Sequence, residues 1–436
     1  MLIQTYISGT STVNIAASVE SAVAAGRAPS GAQLPPVRTL AAHLGVAPAT
    51  VAAAYRLLQD RGVVVADGRR GTRVRPAPPI SLPAEAPLPP GVRDLAEGNP
   101  DLTLLPDLAA AMRRVKVEQR LYSDADLNDP DLLALAREQF RADRVPNEHV
   151  SVVSGALDGI ERVAREHLRP GDRVAVEDPC FTGVLDLLHA QSLVAVPVPV
   201  DDEGMIPGEL RRALRSASAV IVTPRAQNPT GAAHSPRRAR ELRTVLAARR
   251  DVLVIEDDHA GPVAGANYIT LIDRQRERWA VVRSVSKSLG PDLRVALLAS
   301  DAQTHARVEG RQTLGIRWVS HLLQRLVVAA SRDRTPSRAS RVYAERRHAL
   351  LRALAAHGIA AHGRSGLNVW IPVPEEHTVV QALLHAGWGV KAGERYRLTS
   401  PPAIRVTTAT LTPRDAQRFA DDLARVLAPK RRTTGV

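Results

Sequence analysis

Trp279 to Ser300 reads WAVVRSVSKSLGPDLRVALLAS. Two apolar runs rich in β-branched residues, WAVVRSV and RVALLAS, flank a serine-rich turn closed by Gly290 and Pro291. Runs of this length bounded by turn residues predict two buried strands. Lys287 sits just past the first, at a strand end where a buried amine can meet an electrophile. Of the 58 Lys and Arg residues, only Lys116, Lys287, Lys391 and Lys430 are lysines. That scarcity sets Lys287 apart from an ordinary surface lysine.

Outward from this stretch, SVVSG, RVAVED, LVAVPVPV, AVIVTP and VLVIEDD alternate with helical patterns. The alternation predicts an α/β domain with a mainly parallel sheet. From about Tyr343 the rhythm changes to NVWIPV, a helix, IRVTTATL and the amphipathic TPRDAQRFADDLARVLA, which predicts a smaller α+β lobe over 343–430. A chain of 436 residues exceeds one core, so several domains are expected. No apolar run is long enough to span a bilayer and the start lacks the basic segment of a secretory signal, so a cytoplasmic protein is expected. Cys180, the single cysteine, excludes an intramolecular disulfide and a cysteine-built zinc site, and no metal is expected.

Other strand ends carry groups that suit one ligand. Asp257 closes VLVIED, Asn228 follows a third strand in QNPTG, and Phe181 follows a fourth in EDPCFTG. Ser154, Gly155, Ala156 and Leu157 open a helix, whose unpaired amides suit a dianion. Ser284, Ser286 and Arg294 are placed to complete that cup, and Arg405 in AIRVTTATL can take a carboxylate bidentately. An amine for an aldehyde, an acid for a pyridine nitrogen, an amide for a phenolate, a ring face and a phosphate cup are what pyridoxal 5′-phosphate requires. Singly, each group has a plainer reading: NPTG as a turn, either serine as a strand-end cap, Arg405 as a surface arginine.

Residues 34–74 read LPPVRTLAAHLGVAPATVAAAYRLLQDRGVVVADGRRGTRV, after an amphipathic stretch over 13–25. Pro35 and Pro36 open a helix with Leu40, Ala41 and Leu44 on one face; Gly45 ends it, and Thr50 begins a second with Val51, Tyr55 and Leu58 inward. Gly62, Gly68 and Gly71 then punctuate two short strands. The pattern is a winged helix-turn-helix, the α+β head of a multidomain chain, and it places Arg38, Thr50, Tyr55, Arg69, Arg70 and Thr72 as candidate contacts to double-stranded DNA. Residues 1–80 hold eight arginines against three acidic residues, within a net charge of +13. Proline then crowds 76–91, the composition of a semi-rigid linker, giving expected domains of 1–75 and 94–430 joined by 76–93.

The head resembles the GntR family through LPP, R, LA, LGV, TV, AY and L between Leu34 and Leu58, with Ala47 and Pro48 where a serine and an arginine are usual. From about Asp94 to Leu427 the motifs follow the order of fold type I aminotransferases. The whole chain resembles the MocR-type regulators, and VAAAY, CFTG, DDEGM, TPRAQNPTG, IEDDHA, AVVRSVSKSLGPDLR and RWVSHLLQ resemble the branch concerned with vitamin B6 salvage. The resemblance implies a repressor of vitamin B6 salvage genes, of the pyridoxal kinase type, that binds operator DNA, senses pyridoxal 5′-phosphate and forms a head-to-tail homodimer. His259 stands where that family commonly has tyrosine, and it is either a donor to the cofactor phenolate or a histidine satisfied in the pocket wall; the resemblance also implies that Tyr122 reaches the partner's phosphate. A working aminotransferase with a vestigial head is the alternative, and it would share the same pocket.

Overall fold

The structure is a computed structural model describing residues 3–29, 31–60, 63–66, 71–74, 87–122, 126–333 and 335–428. The chain divides into two compact units: Met1–Glu85 with Leu168–Arg173 and Asp186–Val194, and the remainder.

In the first unit, α1 (Thr12–Ala24) is capped by Ser11, whose hydroxyl accepts from the Asn14 amide at 3.3 Å. The helix α2 (Val37–Leu44) ends where Gly45 turns left-handed at φ 65°, a conformation that glycine adopts without a Cβ penalty. The next helix, α3 (Pro48–Asp60), is bent from it by 117°. It starts at Pro48 rather than Thr50, because the first amides of a helix have no partner within it and proline's missing donor is harmless there. Val51, Ala54, Tyr55 and Leu58 repeat at helical spacing and are buried with Ile15, Val19, Leu34 and Leu40. The strands β1 (Val64–Ala66) and β2 (Thr72–Val74) pair antiparallel, Val64 opposite Val74.

The first strand of the second unit, β3 (Arg93–Asp94), straddles the expected boundary between linker and body. Its main sheet comprises β4 (Val150–Val153), β5 (Arg173–Asp178), β6 (Val194–Asp201), β7 (Gly204–Met205), β8 (Ala219–Val222), β9 (Leu253–Asp258), β10 (Trp279–Ser284) and β11 (Ala296–Ser300). The spatial order is β4-β11-β10-β9-β8-β5-β6-β7. β5, β8, β9 and β10 run parallel, while β11 is antiparallel to both β10 and β4. β8, β9 and β10 are buried at every position, as central strands covered on both faces must be. The carboxyl ends of β4, β5, β8, β9 and β10 therefore lie along one edge, where ligands of open α/β sheets bind.

The small lobe is a sheet of β12 (Asn368–Pro372), β15 (Ala403–Thr407) and β14 (Lys391–Ala392), in the order β12-β15-β14, with β13 (Trp388–Gly389) paired parallel to β3. Helices Thr335–Ala356, Glu376–His385 and Pro413–Leu427 cover it, burying Leu350, Leu354, Ile404, Phe419 and Leu423. Leu95 belongs to the same core, so the lobe takes residues from both ends of the unit and its first helix starts before Tyr343. Among the described residues no single helix is long and apolar enough to cross a membrane.

Candidate functional site

The expected groups meet at the carboxyl edge of the main sheet. Lys287 lies on the one-turn helix Ser286–Leu289 directly after β10, and its Nζ donates to the Gly98 carbonyl. Burial pulls its ammonium down to about 8, and the Arg405 charge adds to the effect. On the adjacent strand, Asp257 stands opposite Val282. It is 3 % exposed, and among the described residues its buried Oδ1 has no hydrogen-bond partner. Burial pushes this carboxyl up to about 7, with the neighbouring Asp258 contributing. A buried acceptor with nothing to accept from is costly in a finished core, and a ligand N–H would satisfy it.

Successive strand residues face opposite sides, so Asp258 points away from Asp257. Arg225 grips it through Nε and Nη2 at 2.8 and 2.9 Å, and Arg283 adds a bond of 2.6 Å. Burial alone would raise Asp258, but the two guanidiniums overrule it and hold the carboxyl far below the usual range.

Several residues expected to form a phosphate cup also lie together. Gly155 adopts φ +101° and lies against Arg294, so that a Cβ at this glycine would come within 2.7 Å of Arg294 Nη2. Arg294 donates to the Ser154 carbonyl at 3.4 Å, and Ala156 and Leu157 follow in the first turn of the helix Ala156–His167. A Cβ at Gly183 would meet Phe181 and Leu157, which places the Phe181 ring beside that helix start. Ser284 is buried and its hydroxyl accepts from the Ser286 amide at 3.1 Å, which is the strand-end cap of its plainer reading.

Asn228 and Arg405 come together from different elements. Asn228 Oδ1 accepts from Arg405 Nη1 at 3.2 Å and from Asn368 Nδ2 at 3.3 Å, leaving the Asn228 amide nitrogen to donate elsewhere. Arg405 is 4 % exposed, also donates to the Ala96 carbonyl, and lies 5.1 Å over the Tyr396 ring. It is therefore no surface arginine, and a carboxylate binding there would compete with Ala96 and Asn228. The carbonyls of Ala96 and Gly98, and Asn368 and Tyr396, were not singled out from sequence, because nothing local marks a backbone acceptor as the partner of a distant cation.

The two readings open for His259 resolve to a histidine satisfied in the pocket wall, and the expectation of Tyr55 as a DNA contact needs correction. His259 Nε2 lies 2.8 Å from the Ala226 carbonyl, which can only accept, so the proton sits on Nε2. Burial, then the Lys287 charge, holds the ring down to about 4 and thus neutral near pH 7. Its Nδ1 is then an acceptor, and the ring cannot donate to a phenolate while it keeps the Ala226 bond. Tyr122 is 76 % exposed and is not brought to the other groups in this chain; its ring lies 5.8 Å from Trp318, with Arg317 above it at 5.6 Å. In the head, Tyr55 is 4 % exposed and donates its hydroxyl to the Pro35 carbonyl at 2.7 Å, which makes it a core residue rather than a DNA contact. Arg38 is exposed on α2, Thr50 and Thr72 are half-buried, and Arg69 and Arg70 lie outside the described residues.

Residues 90–423 match the family model for aminotransferase class I and II, and residues 11–74 match that for bacterial regulatory proteins of the gntR family. The chain is 41% identical over 432 residues to the vitamin B6 salvage pathway transcriptional repressor PtsJ of Salmonella typhimurium, covering 97% of this chain and 99% of that one. It is 29% identical over 412 residues to the HTH-type transcriptional regulator TauR of Rhodobacter capsulatus, covering 82% of each. Among solved structures, the α-aminoadipate aminotransferase LysN from Thermus thermophilus superposes with a TM-score of 0.68 at 22% identity, covering 78% of this chain and 92% of that one. That likeness establishes the fold of the second unit.

Proposed function

Since the chain belongs to the MocR-type regulators, in which a GntR head precedes an aminotransferase class I and II domain, we propose that it represses vitamin B6 salvage genes in response to pyridoxal 5′-phosphate. It is a pyridoxal phosphate-binding transcription regulator. The observation that carries the cofactor reading is Asp257, a buried carboxyl whose Oδ1 has no partner among the described residues, on the strand beside the one that leads into Lys287.

The residues present fit the group. Lys287 would hold the aldehyde carbon, Asp257 the pyridine nitrogen, Asn228 the phenolate oxygen and Phe181 the ring face. Ser154, Ala156, Leu157, Ser286 and Arg294 would hold the phosphate, and Ser284 would support them through Ser286. When bound, the cofactor supplies an electrophilic aldehyde and an electron-withdrawing ring. Lys287 contributes an amine that is uncharged more often than a solvated lysine at neutral pH, and Asp258, fixed by Arg225 and Arg283, holds the end of β9 in register. Arg405 would take an effector carboxylate if the 96–98 segment released it.

A homodimer agrees with the exposed apolar side chains of Leu102, Met112, Val117, Leu121 and Tyr122 and of Leu314, Ile316 and Leu322. Arg325 ties these two stretches together, donating to the Lys116 carbonyl at 2.8 Å and to Glu118 at 2.6 Å. In a head-to-tail pair this face would be covered, and Tyr122 would then lie near the partner's site. The alternative of a working aminotransferase is not favoured, since the relative matched along nearly the whole chain is a repressor.

Borohydride reduction of the cofactor-loaded protein followed by mass measurement tests the assignment. Wild type should gain one covalent pyridoxyl group and Lys287→Ala none. A reducible adduct that persists in Lys287→Ala would remove Lys287 from the site.

A further inference from the structure

On the side of the sheet reached by Asp258, the second unit holds a cavity of about 540 Å³ lined in part by Asp143, Arg144, Arg225, Arg240, Arg243 and Tyr268. That volume is of the size that accepts a small ligand. Arg240 and Arg243 stand three apart on the helix Pro236–Ala247 and so share a face. Arg243 is anchored by the Thr270 carbonyl at 3.0 Å, and Arg225 by Asp258. Among the described residues, the guanidiniums of Arg144 and Arg240 have no hydrogen-bond or ion-pair partner, although both side chains line the cavity. Asp143, the carboxylate in the wall, is already held by Arg283 at 2.5 Å.

A concavity lined by four arginines against one already paired carboxylate concentrates positive potential, and planar guanidinium forks match phosphate and carboxylate oxygens two at a time. We infer that this cavity binds a small phosphorylated polyanion, and that its occupancy is felt at the cofactor site through Arg225 and Asp258. The path is short. Arg225 lines the cavity and also grips Asp258, whose neighbour on β9 is Asp257. An anion in the cavity draws Arg225 toward itself and adds negative potential, and both effects favour protonated forms at Asp257 and at the nitrogen it faces. The link to the cofactor rests on the reading above; the binding of the anion does not.

The test uses full-length protein already loaded with pyridoxal 5′-phosphate, so that the phosphate cup is filled, with loading confirmed by absorbance. Titration with inorganic pyrophosphate at about 0.15 M salt is followed calorimetrically. Saturable binding is expected, weakened by about tenfold or more in the Arg144→Ala/Arg240→Ala double variant through loss of charge-assisted bonds. It should be unchanged in Arg352→Ala, an arginine elsewhere on the surface. In wild type, pyrophosphate should also move the pH-dependent change in the bound cofactor's absorption to higher pH. Absence of saturable binding, equal affinity in the double variant, or displacement by random-sequence duplex DNA would overturn the pocket. Binding without a spectral shift would overturn its connection to the cofactor. Failure to load the cofactor at all would instead count against the functional reading.

Discussion

Lys287 is the residue on which the proposed chemistry turns, and its burial makes it titrate early. Its folded value of about 8 lies below the ordinary 10.5. Between those two values the unfolded chain binds the extra proton, so this group's contribution to stability rises with pH across that window in the cofactor-free protein. Because the uncharged amine is the nucleophile, the rate of covalent cofactor loading should rise with pH through a midpoint near 8, followed by the growth of visible absorbance. Arg405→Gln removes a neighbouring positive charge and should move that midpoint upward. A wild-type midpoint near 10.5 would mean that the amine is solvated.

Tyr55 shows what a motif leaves open at the same scale. The AY signature locates the residue but does not distinguish a tyrosine that reads DNA from one that closes a core. Tyr55→Phe should destabilise the head by about 1 kcal/mol by leaving the Pro35 carbonyl unmet, with DNA affinity of the folded protein unchanged. Arg38→Ala should do the reverse, weakening DNA binding while thermal unfolding and the cofactor spectrum stay as in wild type. Loss of DNA affinity in folded Tyr55→Phe would return Tyr55 to the interface.

At the scale of elements, the loop that enters the helix Ala156–His167 is shaped by Gly155. With φ at +101° and Arg294 packed where a Cβ would go, alanine there is strained and pushes the arginine away. Gly155→Ala should weaken cofactor binding about tenfold or more, read by equilibrium titration, as expected when a strained backbone and one charge-assisted bond are lost together. Unchanged affinity would place the phosphate elsewhere.

The buried strands were legible because parallel strands covered on both faces are continuous apolar runs, and their polar ends mark the edge where Asp257, Asn228, Phe181 and Lys287 are proposed to hold the cofactor. Strand direction was not legible. Nothing in RVALLAS records that β11 runs antiparallel, and the two-residue strands β7 and β13 are too short to show a period. Equally hidden were the long-range partners. The tautomer of His259 is set by a carbonyl 33 residues away, and the charge of Asp258 by arginines on two other segments.

The whole molecule joins a DNA-binding head to a cofactor-binding body in one regulator. Coupling requires that the cofactor-bound and cofactor-free forms differ in affinity for DNA, since a ligand that favours neither state shifts nothing. The groups proposed to hold the cofactor lie at the body's sheet edge, and the head brings its own core and an exposed Arg38. The most direct measurement is a mobility shift with the DNA upstream of the gene encoding this chain, against random duplex at matched salt, with and without pyridoxal 5′-phosphate. A preference for the upstream DNA that survives moderate salt and changes when the cofactor is added is expected. Equal binding to both duplexes, or a preference indifferent to the cofactor, would contradict it.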